Sequence, residues 1–283
     1  MTRVALDVAQ TPSLEPETNL STGAYSHGVY SQPITTVPAL QLRNLTKRFG
    51  TKPAVQQLSL SVAQGELFAF LGANGAGKTT TLRMIAGLLQ PDAGDALILG
   101  QSITSAPRAA KSVMAYLPDD PLLYGKLRPM EHLEFVAGLW NVPAAEAELR
   151  AQAWLETLGL WGNRGELIEG FSRGMKQKMA LAAALIHEPQ LMILDEPLTG
   201  LDASAVRQVK DLLQEYTQRG RTVILTTHIL EVAQALSDRI GIISNGHLRA
   251  LGTLSELRAQ SGESGSLEDV FLELTREDSA ATL

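Results

Sequence analysis

Short runs dominated by apolar residues alternate with helix-length segments along most of the chain. These runs are LFAFL at 67–71, LMILD at 191–195, TVILTT at 222–227 and RIGIIS at 239–244. Continuous apolar runs of this length are typical of parallel strands that are covered on both faces. The pattern therefore predicts an α/β fold built on a mainly parallel core sheet.

Other segments depart from this alternation. Residues 40–45 and 58–62 alternate apolar with polar side chains in part, which predicts strands that have one exposed face. Between about residues 106 and 175 the period becomes helical, so we expect an inserted helical subdomain there. The segment that begins at Ser266 predicts a short amphipathic helix.

The two ends of the chain carry weaker patterns. Residues 1–38 are rich in Thr, Ser and Pro without a sustained period, and we expect them to form a disordered extension or to precede the true start codon. Residues 39–270 contain no internal repeat, which predicts one domain there with one nucleotide-binding unit. Residues 271–283 are expected to form a C-terminal helix and tail.

A glycine-rich stretch, GANGAGKTT, joins the first apolar run to a predicted helix. It matches G-x-x-x-x-G-K-[ST] in the strand-to-helix context that this motif requires. Glycines allow backbone angles that turn successive N–H groups inward, and these groups, with the positive end of the helix, cradle phosphate oxygens. A flexible Gly/Ala turn is the alternative interpretation. The residues of the predicted nucleoside triphosphate site are Gly72, Asn74, Gly75, Ala76, Gly77, Lys78, Thr79 and Thr80.

Individual side chains in this loop have distinct expected roles. Lys78 is expected to reach the β- and γ-phosphates, and the Thr79 hydroxyl to bind Mg²⁺. Thr80 is expected to add a further phosphate contact.

Two carboxylates follow the apolar run at 191–195. Asp195 closes that run and Glu196 comes next, so both lie at the end of a predicted strand. A carboxylate in this position can hold Mg²⁺, usually through water, and the next one can polarise an attacking water. A strand-terminal turn is the structural alternative, which the upstream glycine loop makes less favourable.

One histidine, His228, follows the apolar run TVILTT. A histidine after a strand is more often a structural hydrogen-bonding group than a catalytic one. Adjacent parallel strands nevertheless end at the same edge of a sheet. His228 and the pair Asp195–Glu196 are therefore expected to converge on one γ-phosphate.

The turn FSRGM at 171–175 precedes a strongly helical segment. Ser172 is a natural N-cap, which is the structural interpretation. A serine hydroxyl and the backbone of Gly174 at a helix N-terminus also form a phosphate site. Because the glycine loop already serves the chain's own ATP, we expect this second site to face the ATP of another molecule in a nucleotide-dependent dimer.

These motifs together resemble the ATP-binding subunit of an ABC transporter, and the resemblance runs from about Ala39 to the C terminus. It implies a P-loop NTPase fold of the ABC ATPase type, with an N-terminal antiparallel β subdomain and an inserted helical subdomain. The matching positions, in the family's order, are Phe49 as the adenine-stacking aromatic, the Walker A loop at 72–80, the Q-loop in YLPDDP at 116–121, the signature FSRGM, Walker B at 191–196, the D-loop LTGLD ending at Asp202, and His228 as the H-loop.

The details are similar to the ABC-2-type exporter branch of that family. The resemblance implies a homodimer or heterodimer that binds two ATP and Mg²⁺ head to tail, with Asp202 linking the two sites. It also implies a separate polytopic membrane permease that contacts the helical subdomain. The chain would then lie on the cytoplasmic side of the cell membrane, attached through the permease.

Four positions depart from the family pattern. Asp119 stands where the Q-loop usually has Gln, and an ionised carboxylate can reach Mg²⁺ or water but cannot donate a hydrogen bond. Arg173 and Met175 replace a glycine and a glutamine of the signature. Phe49 replaces the commoner Tyr, which keeps the stacking surface and loses the hydroxyl.

Composition narrows the class of partner. The net charge is −6 with dispersed Lys and Arg, so no dedicated nucleic-acid surface is expected. Cysteine is absent, which excludes disulfides and thiolate metal sites and fits the cytosol. No apolar run approaches the roughly 18–20 residues that span a bilayer. Asp7 lies where a signal peptide would be apolar.

Two rival functions remain at this point. One is a soluble ABC ATPase that acts on ribosomes or DNA, although such proteins usually carry two cassettes or coiled-coil insertions, and this chain has neither. The other is a regulatory module that binds ATP and hardly hydrolyses it, against which Glu196 and His228 argue.

Overall fold

The computed structural model describes residues 37–260 and 266–280. Nearly all of the predicted N-terminal extension, residues 1–36, therefore lies outside the described residues. Among these residues the strands are β1 (Leu40–Phe49), β2 (Lys52–Val62), β3 (Leu67–Leu71), β4 (Ala93–Ile98), β5 (Gln101–Ser102), β6 (Met114–Leu117), β7 (Leu191–Asp195), β8 (Thr222–Thr227), β9 (Arg239–Ser244) and β10 (His247–Gly252). The α-helices are α1 (Lys78–Ile85), α2 (Pro107–Lys111), α3 (Pro129–Leu139), α4 (Ala144–Thr157), α5 (Arg173–Leu185), α6 (Ala203–Gln218), α7 (Leu230–Leu236), α8 (Leu254–Gln260) and α9 (Leu267–Ala280).

The core sheet has six strands in the order β10-β9-β3-β8-β7-β6. Five of them, β9, β3, β8, β7 and β6, are parallel, and β10 is antiparallel to β9. This confirms the predicted mainly parallel sheet. The hairpin strand β10 was not predicted from the sequence.

A second sheet has the order β2-β1-β4-β5, and its neighbouring strands are all antiparallel. This confirms the N-terminal antiparallel β subdomain. Together with the parallel core sheet and the helices, it forms the architecture that the resemblance to ABC ATPases implies.

The core sheet separates two hydrophobic cores, and alternate residues of each strand serve one or the other. In β3, Leu67, Ala69 and Leu71 pack with the helices α3–α6. Phe68 and Phe70 pack on the opposite face against α1 and the antiparallel sheet. Because both faces are buried, these strands carry no polar alternation, which is why they appear in the sequence as continuous apolar runs.

The helical subdomain starts later than the sequence predicts. Residues 114–117 form strand β6, which pairs with β7 at the edge of the core sheet, so the prediction of a helical pattern beginning near residue 106 is wrong for this stretch. A four-residue strand is too short to interrupt a helical period visibly. The helices α3, α4 and α5 follow it. At the other end, α9 begins at Leu267, within the range expected to close the ATPase domain.

No helix among the described residues is both long and apolar enough to cross a membrane.

Candidate active site

The topology brings the predicted motifs to one edge of the core sheet. Strand β8 lies between β3 and β7, and all three run parallel. The last residue of β3, Leu71, pairs with Thr227, and Asp195 at the end of β7 pairs with Thr226. The glycine loop, the carboxylate pair and His228 therefore leave the sheet side by side.

The glycine loop uses its small residues for steric reasons. Gly75 and Gly77 adopt φ angles of 83° and 110°, which L side chains rarely adopt. A Cβ atom on Gly72 would lie 2.5 Å from the carbonyl oxygen of Ile243. The Ala76 carbonyl oxygen accepts a hydrogen bond from the Gly246 N–H at 2.9 Å, which links the glycine loop to the turn after β9. Larger residues at the three glycine positions would therefore deform the loop.

Lys78 is folded back over its own loop. Its Nζ donates to the carbonyl oxygens of Gly72 (2.7 Å) and Ala73 (3.3 Å) and lies 3.8 Å from Glu196 Oε1. The side chain is 6% exposed. Burial lowers the pKa of Lys78 from its ordinary value, while the charges of Glu196 and Asp195 act in the opposite direction. The ammonium group is thus placed beside both carboxylates at the mouth of the loop.

Asp195 is buried and held by two hydroxyl groups. Thr226 Oγ1 donates to Asp195 Oδ1 at 2.6 Å, and Thr79 Oγ1 donates to the same oxygen at 3.2 Å. The hydroxyl and the carboxylate that were predicted to share Mg²⁺ are therefore in direct contact. The second oxygen of Asp195 makes no hydrogen bond with any described residue.

Glu196 has a strained backbone, and its side chain contacts a histidine. Its φ is 49°, a region that costs of the order of 1–3 kcal/mol for a non-glycine residue and that clusters at functional sites. Its N–H donates to Thr226 Oγ1 at 3.0 Å, which helps to hold this conformation. Its Oε1 lies 3.0 Å from His228 Nδ1. His228 is about half exposed, so its ring remains open to a ligand.

A cavity of ≈ 210 Å³ connects these groups. Asp119, the residue at the Q-loop position, reaches this cavity from the loop that follows β6. The lining residues are Ala54, Ala73, Asn74, Gly75, Gly77, Lys78, Thr79, Thr80, Asp119, Asp195 and Glu196.

Four predicted site residues lie elsewhere. Ser172 caps α5, where its Oγ accepts from the Met175 N–H at 3.3 Å. Asp202 caps α6, where its Oδ1 accepts from the Ala205 N–H at 2.8 Å. Gly174 lies near Gly200 of the loop before α6, since a Cβ on Gly174 would be 3.5 Å from the Gly200 oxygen. Phe49 ends β1 with 55% of its surface exposed. None of the four lines the cavity of its own chain.

The residues present fit a nucleotide and Mg²⁺. The N–H groups of Asn74, Gly75 and Gly77 make no hydrogen bond to any described residue, so three backbone donors remain for phosphate oxygens. In the described part of the chain, no group of three or more His, Cys, Asp or Glu side chains is arranged to hold a metal. Mg²⁺ usually takes one or two carboxylates together with substrate phosphates, which matches Asp195 and the loop.

Sequence reasoning missed Thr226, which bonds both Asp195 and the backbone of Glu196. A threonine at the end of an apolar run looks like an ordinary strand residue. No signal in the sequence identifies it, because its contact with Asp195 depends on the order of the strands in the sheet.

The comparisons with known proteins agree with this geometry. The family model described as ABC transporter matches residues 55–199. Over 240 residues the chain is 36% identical to the ABC-type transporter ATP-binding protein EcsA of Bacillus subtilis, which covers 84% of this chain and 97% of that protein. This chain belongs to the ABC transporter family.

Within that family it is an ATP-binding subunit with ATPase activity. It is 37% identical to the linearmycin resistance ATP-binding protein LnrL of Bacillus subtilis over 236 residues, covering 83% of this chain and 74% of that protein. A solved structure titled as the ATP-binding subunit of an ABC transporter superposes with a TM-score of 0.79 at 34% identity, covering 83% of this chain and 99% of that one.

Proposed function

We propose that this ABC ATPase subunit hydrolyses ATP to power an exporter. It binds ATP and Mg²⁺, pairs head to tail with a second ATPase subunit, and drives a separate polytopic permease from the cytoplasmic side of the membrane. The observation that carries the proposal is Glu196 Oε1, which lies 3.0 Å from His228 Nδ1 and 3.8 Å from Lys78 Nζ at the mouth of the glycine loop. A carboxylate placed in this way can act on the water that attacks a γ-phosphate.

Each part of the nucleotide has a proposed set of partners. The loop from Gly72 to Thr80 binds the phosphates through backbone N–H groups, Lys78 and Thr80, and Phe49 stacks on adenine. Thr79 and Asp195 hold Mg²⁺, and Asp119 lies close enough to the same cavity to contribute. When bound, the ion neutralises charge that develops on the phosphate oxygens.

Hydrolysis then uses the chain's own groups. Glu196 Oε accepts a hydrogen bond or a proton from the attacking water, and His228 contacts the γ-phosphate and fixes the Glu196 side chain. Lys78 leaves its present carbonyl acceptors and donates to the phosphates. Because the Glu196 N–H is fixed by Thr226, the carboxylate is held in place before the substrate binds.

The start of α5 supports a dimer. Gly174 has no positive φ, and a Cβ there would meet its nearest neighbours at 3.5 Å, which is ordinary contact. Neither backbone conformation nor crowding within this chain requires glycine at the second residue of α5, so we look for the reason outside the chain. Close approach of a partner's ATP, with Ser172 and Gly174 binding its γ-phosphate, supplies that reason, and Asp202 then lies near the dimer interface.

The helical subdomain supports a permease partner. A groove of ≈ 220 Å³ lies beside the Asp119 loop, between α3 and α5, and is bordered by large exposed apolar side chains. Leu122 is 90% exposed, and Tyr124, Phe135 and Leu139 are also exposed. Exposed apolar groups in one place indicate an interaction surface. We call this surface the α3 groove and propose that the permease docks there.

Outward transport is supported by the type of relative. One similar protein is named for resistance to linearmycin, which suggests removal of a compound from the cell. The ABC-2-type character of the signature and C-terminal segments agrees with export.

The test is a pull-down with the Glu196→Gln protein, which should retain ATP because binding survives while water activation fails. Membranes are solubilised in mild detergent with ATP and Mg²⁺, and co-purifying proteins are identified. We expect a polytopic membrane protein. Ribosomal or DNA-bound partners without any membrane protein would contradict the proposal.

A matched pair of variants localises the contact. Leu122→Asp in the α3 groove should strongly reduce recovery of the membrane protein. Leu149→Asp serves as the control, since Leu149 is 71% exposed on α4 and does not line the groove. Equal recovery with both variants would place the permease elsewhere.

A further inference from the structure

Two cavities away from the nucleotide site share one side chain. The first, of ≈ 310 Å³, lies between α4 and α6, where Trp154, Leu212 and Tyr216 provide apolar surface. The second, of ≈ 220 Å³, lies at the start of β8 and is mostly polar. Arg219 lines both cavities, so they adjoin. We call the pair the Arg219 recess.

The two halves of the recess differ in charge. In the apolar half the carboxylates are paired: Arg150 lies 3.3 Å from Glu188, and Arg219 lies 2.5 Å from Glu215. The polar half contains Arg219 and Arg221 but no acidic residue. Its other lining residues are Gln64, Leu99, Gln190, Gly220 and Thr222.

Arg221 carries a positive charge in the polar half that no carboxylate among the described residues pairs with. It is partly buried, and its guanidinium makes no hydrogen bond or ion pair with any residue that the structure describes. Its backbone N–H donates to the carbonyl oxygen of Tyr216 at 3.3 Å, so Arg221 adjoins the apolar half of the recess, which Tyr216 lines. A partly desolvated cation without an anion is unfavourable, and a bound anion would relieve that cost.

The neighbouring Arg219 can contribute to the same anion. Its ion pair with Glu215 spans one helical turn, and both side chains are more than half exposed. Exposed pairs of this kind contribute little, so exchanging the Glu215 carboxylate for a ligand acid group costs little. Guanidinium groups bind planar or tetrahedral oxyanions through paired N–H donors.

We propose that the Arg219 recess binds an amphipathic anionic small molecule. Its apolar, preferably aromatic, body lies against Trp154 and Tyr216, and its acid group lies between Arg219 and Arg221. This site is independent of the ATP site and of the permease contact. Because the ligand would touch both α4 and α6, it would also join the helical subdomain to the core sheet.

The probe is 1-anilinonaphthalene-8-sulfonate, with the uncharged N-phenyl-1-naphthylamine as its matched analogue. Both are titrated into the full chain in saturating ADP and Mg²⁺, so that the glycine loop is occupied. The chain has three tryptophans, and Trp140→Phe with Trp161→Phe leaves Trp154 as the energy donor. We expect energy transfer from Trp154 to the sulfonate at a single saturable site.

Arg221→Gln should weaken sulfonate binding about tenfold, as loss of a charge-assisted hydrogen bond does, and should leave the neutral analogue unchanged. Arg108→Gln, an exposed position of α2 outside the recess, is the control. If Arg221→Gln does not fold, Arg219→Gln on the exposed rim gives the same test. Sulfonate binding that is equal in wild type and variant, or that gives no transfer from Trp154, would overturn the proposal.

The acid group can belong to a lipid headgroup or to a free small molecule, and a second experiment distinguishes these two sources. The protein is sedimented with phosphatidylcholine vesicles that contain or lack phosphatidylglycerol. Binding that needs phosphatidylglycerol and is weakened by Arg221→Gln assigns the site to a lipid headgroup. Absence of vesicle binding, with the sulfonate result intact, assigns it to a free small molecule.

Discussion

Thr226 joins Asp195, the proposed Mg²⁺ ligand, to Glu196, the proposed catalytic carboxylate. Its hydroxyl donates to Asp195 and accepts from the Glu196 N–H. Thr226→Val keeps the shape and removes both bonds in a fully buried place. We expect the free energy of unfolding to fall by about 1–3 kcal/mol and ATP turnover to fall with it, because Glu196 is no longer held in its strained conformation.

The measurements are urea unfolding and phosphate release. Thr226→Ser, which keeps the hydroxyl, is the control and should stay close to wild type in turnover. If Val and Ser variants hydrolyse ATP equally fast, the hydroxyl does not position Glu196.

At the scale of a single residue, the sequence predicted side chains that belong to a ligand-binding motif. It did not predict side chains whose role depends on contact with another side chain. Lys78, Asp195 and Glu196 follow from motif chemistry, and the structure brings them together around one cavity. Thr226 has no motif of its own, because its role depends on strand order, which the sequence does not state. The contact of Asp119 with the same cavity likewise depends on where the loop after β6 lies.

Tyr216 links α6 to the segment before β7. Its hydroxyl donates to the Pro189 carbonyl in a buried place, and burial raises the pKa of Tyr216 from 10.0 to about 12. Since the neutral form is favoured in the folded protein, this contribution is complete below pH 10 and is lost as the pH rises from about 10 to 12. The loss amounts to about 2–3 kcal/mol.

The check is the difference in unfolding free energy between wild type and Tyr216→Phe across that pH range. The variant lacks the titrating group, so the difference should shrink as the pH rises. A difference that stays constant from neutral pH to pH 12 would show that Tyr216 ionises normally.

At the N-terminus of α5, one substitution is expected to affect protein stability and ATP turnover differently. Gly174→Ala has room for its methyl group and replaces glycine within a helix. We therefore expect unfolding free energy to stay equal or rise by up to about 1 kcal/mol, while ATP turnover falls because the methyl group blocks a partner's nucleotide.

Gly138→Ala is the matched control, because Gly138 lies within α3 and a Cβ there meets nothing within 4 Å. It should gain similar stability and keep full turnover. Thermal unfolding and phosphate release measure both effects. Turnover that is normal in Gly174→Ala would remove the support that α5 gives to the dimer.

At the scale of secondary-structure elements, the hydrophobic periodicity of the sequence predicted the long helices and the buried strands. It did not predict strands β6 and β10. Strand β6 has four residues and lies between helices, so its period is hidden. Strand β10 alternates only in part, with Ala250 and Gly252 buried, and its pairing with β9 is set by the turn at Gly246, whose φ is 77°. The local sequence pattern does not specify tertiary constraints such as the pairing of one strand with another.

Across the whole molecule, the residues of the proposed composite site lie in two separate places. The glycine loop and the carboxylates line the cavity, whereas Ser172 caps α5 and Gly174 is the second residue of that helix, and neither lines the cavity. If Ser172 and Gly174 bind nucleotide, a single chain contains both halves of a site without joining them. In the proposed dimer, two chains related by a twofold axis would join each half to its complement and form two composite sites.

This arrangement predicts complementation between two inactive variants. Lys78→Ala removes the phosphate-binding ammonium of its own loop, and Ser172→Arg blocks the surface offered to a partner. A mixed dimer has one site that carries both changes and one that carries neither. In an equal mixture half of the dimers are mixed and each has one intact site of two, so turnover should return to about one quarter of wild type.

Phosphate release is measured for each variant alone and for the mixture, with light scattering to confirm that wild type dimerises on adding ATP. Circular dichroism confirms that both variants fold, since Ser172→Arg also removes the cap of α5. If both residues act on the same nucleotide within one chain, every dimer in the mixture remains defective and mixing restores nothing. Recovery in the mixture therefore requires that Ser172 acts across the interface.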